Sequence, residues 1–450
     1  VILSAAQASP RWRGRTTFVL ALAGAAVGLG SLWRFAWLMG EHGGGAFMLS
    51  YVLCLFLLAV PLLCAEVVLG SWGRASPINS IRHACDRSLR SRHWQWLGVL
   101  AAFAGVLLLG YQSVVAGWSL AYAKAMATGE FSAASVPLVS AHLEGLLSSE
   151  ALQLKWQSLF LGVVVAVLAL GVRNGLGLLV WLLVPVMIAL LGVLLRFALD
   201  NGDLEAAQDF LFSVKRVDFT RGSVLAALGH AALTLGVGVG AGIAYGAYAP
   251  ERIPIGRSVI AVAVFDTVVA LLAGIAIFPV VFANNLEPAA GPGLLFISAP
   301  YAFGNLAGGD LFGSLFFALV AVAALGSAVA MLEPTVASLQ QRLHLRRPLA
   351  ALVAGALVWL LARAVSASVA NAQLSGSPSL LVQVDAFTAN FLVPLVSLLT
   401  AFLVGWWLKP AVLRPQFPRE SNVSFSLWRG LLRYIAPPAI LVLMLVGHIL

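Results

Sequence analysis

Charge is scarce in this sequence. Only 10% of its 450 residues are Asp, Glu, Lys or Arg, against about 25% in soluble domains. Hydrophobic residues make up 61% and mean hydropathy is +0.96, which excludes a water-soluble globular chain. Cysteine is scarcer still. The three, Cys54, Cys64 and Cys85, fall within expected spans or on the expected cytoplasmic side, and neither a disulfide framework nor a metal-ligand spacing is present. The nucleophile–base set or metal motif of an intramembrane enzyme is missing too. No cleavable leader is expected, because the first apolar segment is too long and runs on into the fold. The triplet "NVS" at 422–424 matches a glycosylation acceptor but lies in a loop expected to be cytoplasmic.

What the sequence has is apolar length. Segments able to span a bilayer recur near 16–39, 46–69, 95–123, 156–172, 176–195, 222–249, 258–283, 311–340, 349–366, 379–408 and 430–450. These eleven leave no room for a separate soluble domain. The formal charge of +9 is unevenly placed. Arg11, Arg13 and Arg15 precede the first span; Arg74, Arg82, Arg87, Arg90 and Arg92 separate the second from the third. Arg342, Arg346 and Arg347 follow the eighth, and Lys409, Arg414, Arg419 and Arg429 the tenth. The alternate loops carry Glu130, Glu144, Glu150, Asp200, Asp203, Glu205 and Asp209. Positive-inside bias places the amino terminus in the cytoplasm and the carboxyl terminus outside. The basic charge is a topology signal, and a nucleic-acid partner is not expected.

Two spans are interrupted. The first contains "GAAVGLGSLWRF", residues 24–35, with three glycines and an arginine in its middle. The sixth contains "LTLGVGVGAG", with glycines at 236, 238, 240 and 242. Glycine weakens a helix, and arginine is costly in lipid. Glycines can serve close helix packing. Two interrupted spans lying five apart point instead to a transporter site at the membrane midplane, because unwound backbone must face something polar inside the protein.

These residues carry a resemblance. "AGAAVGLGSLWRF" followed by "EHGGGAFMLSYVLCLFLLAVPLLCAEVVLGSWGR" resembles the opening of the neurotransmitter:sodium symporters, particularly their eleven-helix bacterial members. The likeness continues in "YQSVVAGWSLAY", "LGHAALTLGVGVGAGIAYGAY", "GSAVAMLEPTVA" and "VDAFTAN". It implies an all-α integral membrane protein with a five-plus-five inverted repeat. Residues 1–200 form the first repeat, 201–408 the second, and 409–450 a cytoplasmic loop and eleventh helix. The implied activity is sodium-coupled symport, by alternating access, of a neutral amino acid or related small zwitterion into a bacterium across its cytoplasmic (inner) membrane. An enzyme is not implied.

Site residues follow from the resemblance, position by position. Arg34 and Asp385 match an outer gate, and Glu66 a glutamate supporting the unwound region. The second sodium site falls on Gly24, Val27, Ala323 and Ser327, with Gly326 where a threonine ligand is usual. The first falls on Ala26, Ser31, Thr234 and Asp266, where Ser31 and Asp266 each replace asparagine. Tyr51 is kept from the chloride site of other members, but His230 and Ala270 are departures, and Asp266 supplies a negative charge. Chloride is therefore not expected. A substrate carboxylate would meet Leu29, Gly30 and Gln112, the last in place of a tyrosine. The remaining pocket wall is Ala26, Leu108, Leu233, Thr234, Gly236, Val239, Ser327 and Met331, and the absence of two usual rings favours a bulky hydrophobic substrate. On the inner side a gate aspartate is Gln341, leaving Arg11 or Arg13 to bond Gln341 or Tyr248, and a more populated inward-facing state is expected. Glu333 has no assigned role. Two readings compete: a transporter with one sodium and proton participation at Asp266 and His230, for an amine or unusual acid, and a transport-inactive sensor on the same scaffold.

Overall fold

The computed structural model describes residues 11–214, 218–286, 293–375 and 377–446, of which every regular element is helical. Among the described residues ten helices are long and apolar enough to cross a membrane. They are helix 2 (Gly45–Gly73), 3 (Arg92–Ala127), 4 (Glu150–Ala169), 5 (Val172–Asn201), 6 (Arg221–Ala247), 7 (Ile255–Phe282), 8 (Gly309–Arg342), 9 (Arg347–Gln373), 10 (Leu380–Trp407) and 11 (Asn422–Val446). Helix 1 completes the eleven in two pieces, 1a (Arg15–Ala26) and 1b (Gly30–Glu41). Short helices Pro77–Ser88, Val136–Ser148 and Leu204–Phe212 lie between spans.

The observed bounds differ from the hydropathy reading mostly at polar ends. Helix 11 begins at Asn422 rather than near 430, because the Ser421 hydroxyl accepts the Ser424 amide at 3.1 Å and starts the helix in polar sequence. Helix 9 runs past 366, through the Ser/Asn-containing turns Ser366–Asn371, which end an apolar window without ending a helix. Residues 447–450, the close of the expected eleventh span, lie outside the described residues.

Packing sorts the helices into two groups. Helix 1 lies on helix 7, and the end of helix 6 on helix 2. Helix 3 packs along helix 8, and helix 4 against helices 3 and 9. The interrupted segments of helices 1 and 6 face each other between these groups. The face bearing Arg11–Arg15, Arg74–Arg92 and Arg342–Arg347 is called the basic face below, and the opposite one the acidic face.

Candidate functional site

Helix 1 stops after Ala26, where Val27 turns extended (φ −72°, ψ 114°), and resumes at Gly30. Helix 6 is broken more severely. Leu235, Gly236, Gly238 and Gly240 all have positive φ, between 61° and 83°, a run that no L-residue helix tolerates. Three of the four are glycines, for which this conformation carries little penalty. Gly238 is also confined: a Cβ there would lie 2.8 Å from the Val393 carbonyl oxygen. The freed amides are gathered by Glu66, fully buried on helix 2. Its carboxylate accepts Gly238 N–H at 2.8 Å and Gly242 N–H at 3.1 Å. A charged acceptor at the start of the second half-helix also opposes the helix dipole favourably. The supporting role implied for Glu66 is what the geometry displays.

Between the breaks is a cavity of about 130 Å³, close to the size of one that holds a benzene ring (about 150 Å³). Of the residues named for substrate, Ala26, Gly30, Leu108, Gln112, Leu233, Thr234, Gly236, Val239, Ser327 and Met331 line it. Leu29 does not; it is buried at the foot of 1b. Ala25, Val237, Ala389 and Val393 line it as well and were not foreseen. Ala389 and Val393 lie four and eight residues after Asp385, on the same helix face, so a helical projection from Asp385 would have found them.

The residues expected at the two sodium positions fall on either side of the helix 1 break. Asp266, on helix 7, is 1% exposed. Ser31 Oγ donates to its Oδ1 and Thr234 Oγ1 to its Oδ2, each at 2.8 Å. Helix 7 thus holds one carboxylate against the start of 1b and the end of the first half of helix 6 (Arg221–Leu233), with Ala26 in the adjoining wall. On the other side Ser327, on helix 8, faces the break: a Cβ on Gly28 would lie 3.2 Å from its Oγ. That hydroxyl donates to Ala324 O at 3.1 Å, and Ala323 is one turn earlier and buried. Gly24 and Val27 end 1a, where helical carbonyls lose their partners.

Gly326 explains the threonine missing from this second position. A Cβ there would sit 2.4 Å from the Gly24 carbonyl oxygen, so helices 1 and 8 meet more closely than a side chain allows. Gly326→Ala is expected to lower stability by about 1–3 kcal/mol, the usual cost of overpacking, read as a fall in thermal midpoint of the detergent-solubilised protein. An unchanged midpoint would show that the two helices separate freely.

The two residues expected to form the outer gate stand apart. Arg34 and Asp385 both border the cavity, Arg34 is exposed, and among the described residues neither is in an ion pair with the other. The cavity opens on their side, towards the acidic face. The basic face is shut. Trp12 is buried, its amide donating to Tyr248 O at 2.9 Å and its indole to Tyr245 O at 3.1 Å. Below it Glu333, 0% exposed, takes Arg347 in a two-pronged ion pair, Nη2–Oε2 2.6 Å and Nη1–Oε1 3.0 Å. Tyr248 donates its hydroxyl to the same carboxylate at 2.5 Å.

This corrects the expected inner contacts. Arg11 pairs with Glu251 at 2.9 Å, not with Gln341 or Tyr248. Gln341 Oε1 is occupied by the Ser76 amide (2.8 Å) and Asn79 Nδ2 (2.9 Å). The ion pair that Gln341 lacks is supplied eight residues earlier, by Glu333. The structure is closed on the side where easier opening was expected.

Paired helix breaks around a cavity between them, with buried carboxylates in support, define a broken-helix membrane transporter. Residues 9–140 and 142–450 match the model of the Sodium:neurotransmitter symporter family, and the chain belongs to that family. It is 33% identical to the sodium-dependent transporter YhdH of Bacillus subtilis (strain 168) over 445 residues, 97% of each chain. It is 28% identical to a sodium-dependent transporter of Haemophilus influenzae, over 96% of each. Among solved structures it is similar to MhsT in complex with L-phenylalanine, with a TM-score of 0.85 and 33% identity over 97% of this chain and 99% of that one. Membership is in a family of transporters, not enzymes, and the five-plus-five fold with helices 1 and 6 unwound is shared.

Proposed function

We propose that this transporter couples sodium to the uptake of a neutral, bulky hydrophobic amino acid or related small zwitterion. The observation that carries the reading is the cavity between the two breaks, lined by polar groups of helices 1, 3, 6, 8 and 10 together with apolar side chains. A substrate carboxylate reaches the bare amide at Gly30 and the Gln112 side chain; its apolar group meets Leu108, Leu233, Val239 and Met331. Gly28 and Gly236 leave the room, and the similar structure of MhsT contains L-phenylalanine. One sodium is held by Ala26, Ser31, Thr234 and Asp266 beside that carboxylate, a second by Gly24, Val27, Ala323 and Ser327. Arg34 and Asp385 close over the loaded site. With the basic face in the cytoplasm of a bacterium, as positive-inside bias has it, the amino terminus is cytoplasmic and the structure is outward-facing. The repeats run over 1–200 and 201–408.

Uptake of labelled amino acids into proteoliposomes under an imposed sodium gradient tests the proposal. Accumulation of large apolar amino acids, abolished when potassium replaces sodium, is the expected result. Uptake driven by a pH gradient without sodium would favour proton participation at Asp266, and binding without flux a sensor. Replacing chloride with gluconate is expected to leave the rate unchanged, since Asp266 already brings the negative charge that an anion would supply; a collapse of uptake would refute that.

A further inference from the structure

Near the basic face, away from the transport cavity, lies a groove of about 700 Å³ between helices 3 and 10. Trp94, Leu97, Leu100 and Phe103 line one side and Leu399 and Trp407 the other. From Trp94 to Phe103 it follows helix 3 for about 14 Å at 1.5 Å per residue, the depth of one leaflet, roughly half of a 30 Å hydrocarbon core. Its floor is apolar. Its mouth is not: Ser91 and His93 border it, and Arg90 lies against Trp407. The Arg90 guanidinium is 5.5 Å from that ring centroid, and its Nε donates to Trp407 O at 3.0 Å.

That hydrogen bond fixes the guanidinium and leaves its two terminal nitrogens directed elsewhere. Arg90 is exposed, and among the described residues no carboxylate pairs with it. The nearby acid, Asp86, is taken by Arg92 at 2.7 Å. Trp94 and Trp407 pack together at 6.1 Å, and tryptophan in such a place marks the headgroup depth. An immobilised, unneutralised guanidinium above a leaflet-deep apolar groove suits a phosphate joined to an acyl chain.

We propose that this groove is a site for one anionic membrane phospholipid, with its headgroup phosphate on Arg90 and an acyl chain along Trp94, Leu100 and Phe103. The lipid bridges the inner ends of helices 3 and 10, beside the Trp94–Trp407 ring contact, the bond from the Arg90 side chain to Trp407 O and the Ser88 hydroxyl accepting the Lys409 amide.

The test is native mass spectrometry of the full chain in detergent, mixed with phosphatidylglycerol or with phosphatidylcholine of the same acyl chains. The unaltered protein is expected to retain phosphatidylglycerol preferentially. Arg90→Gln is expected to weaken that retention about fivefold, the worth of one basic residue near the surface, and to weaken phosphatidylcholine retention less, because choline already balances that lipid's phosphate; an unchanged thermal midpoint reports that the variant is folded. Leu100→Trp, which fills the groove, is expected to lower retention of both lipids. Arg173→Gln, on the same face at the start of helix 5, is expected to change nothing. Equal retention of the two lipids by the unaltered protein, undiminished phosphatidylglycerol in Arg90→Gln, or an equal loss in Arg173→Gln would each overturn the proposal, the last by showing only diffuse charge attraction.

Discussion

Replacing Asp266 with asparagine is expected to raise the sodium concentration for half-maximal uptake roughly 30-fold, while substrate affinity at saturating sodium changes far less. The reason is a buried charge that, among the described residues, no basic side chain pairs with. Asp266 is buried, and its contacts are the hydroxyls of Ser31 and Thr234. Two neutral donors orient a carboxylate but do not cancel its charge, and an uncompensated buried charge is costly. A sodium ion bound there, as proposed, would remove that cost. Asparagine keeps the shape, and both hydroxyls can turn to serve its oxygen and its amide hydrogens, so the fold survives while the charge goes. Deleting one partner of a buried charge pair typically costs 2–5 kcal/mol; the low end, about 2 kcal/mol, is the 30-fold shift. Sodium titration of substrate binding on the purified variant measures it directly. Unaltered sodium dependence would put the ion elsewhere, and uptake that loses only its pH dependence would make Asp266 a proton carrier.

The breaks were legible in the sequence because they depend on local chemistry. Clustered glycines cannot hold a helix together, and "GVGVG" announces positive φ before any fold is known. The spans were legible because hydropathy is a sum over neighbours. Partnerships across the fold were not. Nothing in the residues around Glu333 says that Arg347, fourteen positions on and past a helix end, turns back to meet it, or that Tyr248 completes the set. The expected latch at Gln341 failed for the same reason: an inherited position was followed after its charge had gone, while the compensating pair lay on the other side of the same helix end. Leu235 marks a further limit. Its positive φ is imposed by the glycines after it and by Glu66 drawing in the amides of Gly238 and Gly242, so a residue-by-residue propensity would assign it wrongly.

Glu333→Gln is expected to loosen the basic face enough to change which side of the membrane the cavity sees. The Glu333–Arg347 pair is enclosed, with side chains 0% and 14% exposed, and Arg347 Nε also donates to Leu168 O at 2.8 Å. Through these bonds and the Tyr248 hydroxyl, one carboxylate joins helices 4, 6, 8 and 9, and Trp12 packs edge-on to the Tyr248 ring at 5.9 Å. Glutamine preserves one acceptor oxygen but turns an amide donor towards a guanidinium, which leaves an enclosed positive charge unpaired. Breaking a buried pair from one side costs 3–5 kcal/mol. Where the cost falls on the closed arrangement alone, about 3 kcal/mol moves the open-to-closed ratio by a factor on the order of 10². Hydrogen exchange reads the change at the Trp12 amide, which donates to Tyr248 O, and along Ala241–Ala247: both are expected to exchange faster in the variant. The double variant Glu333→Gln with Arg347→Gln removes both charges and is expected to recover most of the protection, as neutral replacements of buried pairs generally do. Fast exchange in the double variant would mean that the pair's hydrogen-bond geometry, and not the stranded charge, holds the inner face shut; unchanged exchange in the single variant would confine Glu333 to a local role at the start of helix 9.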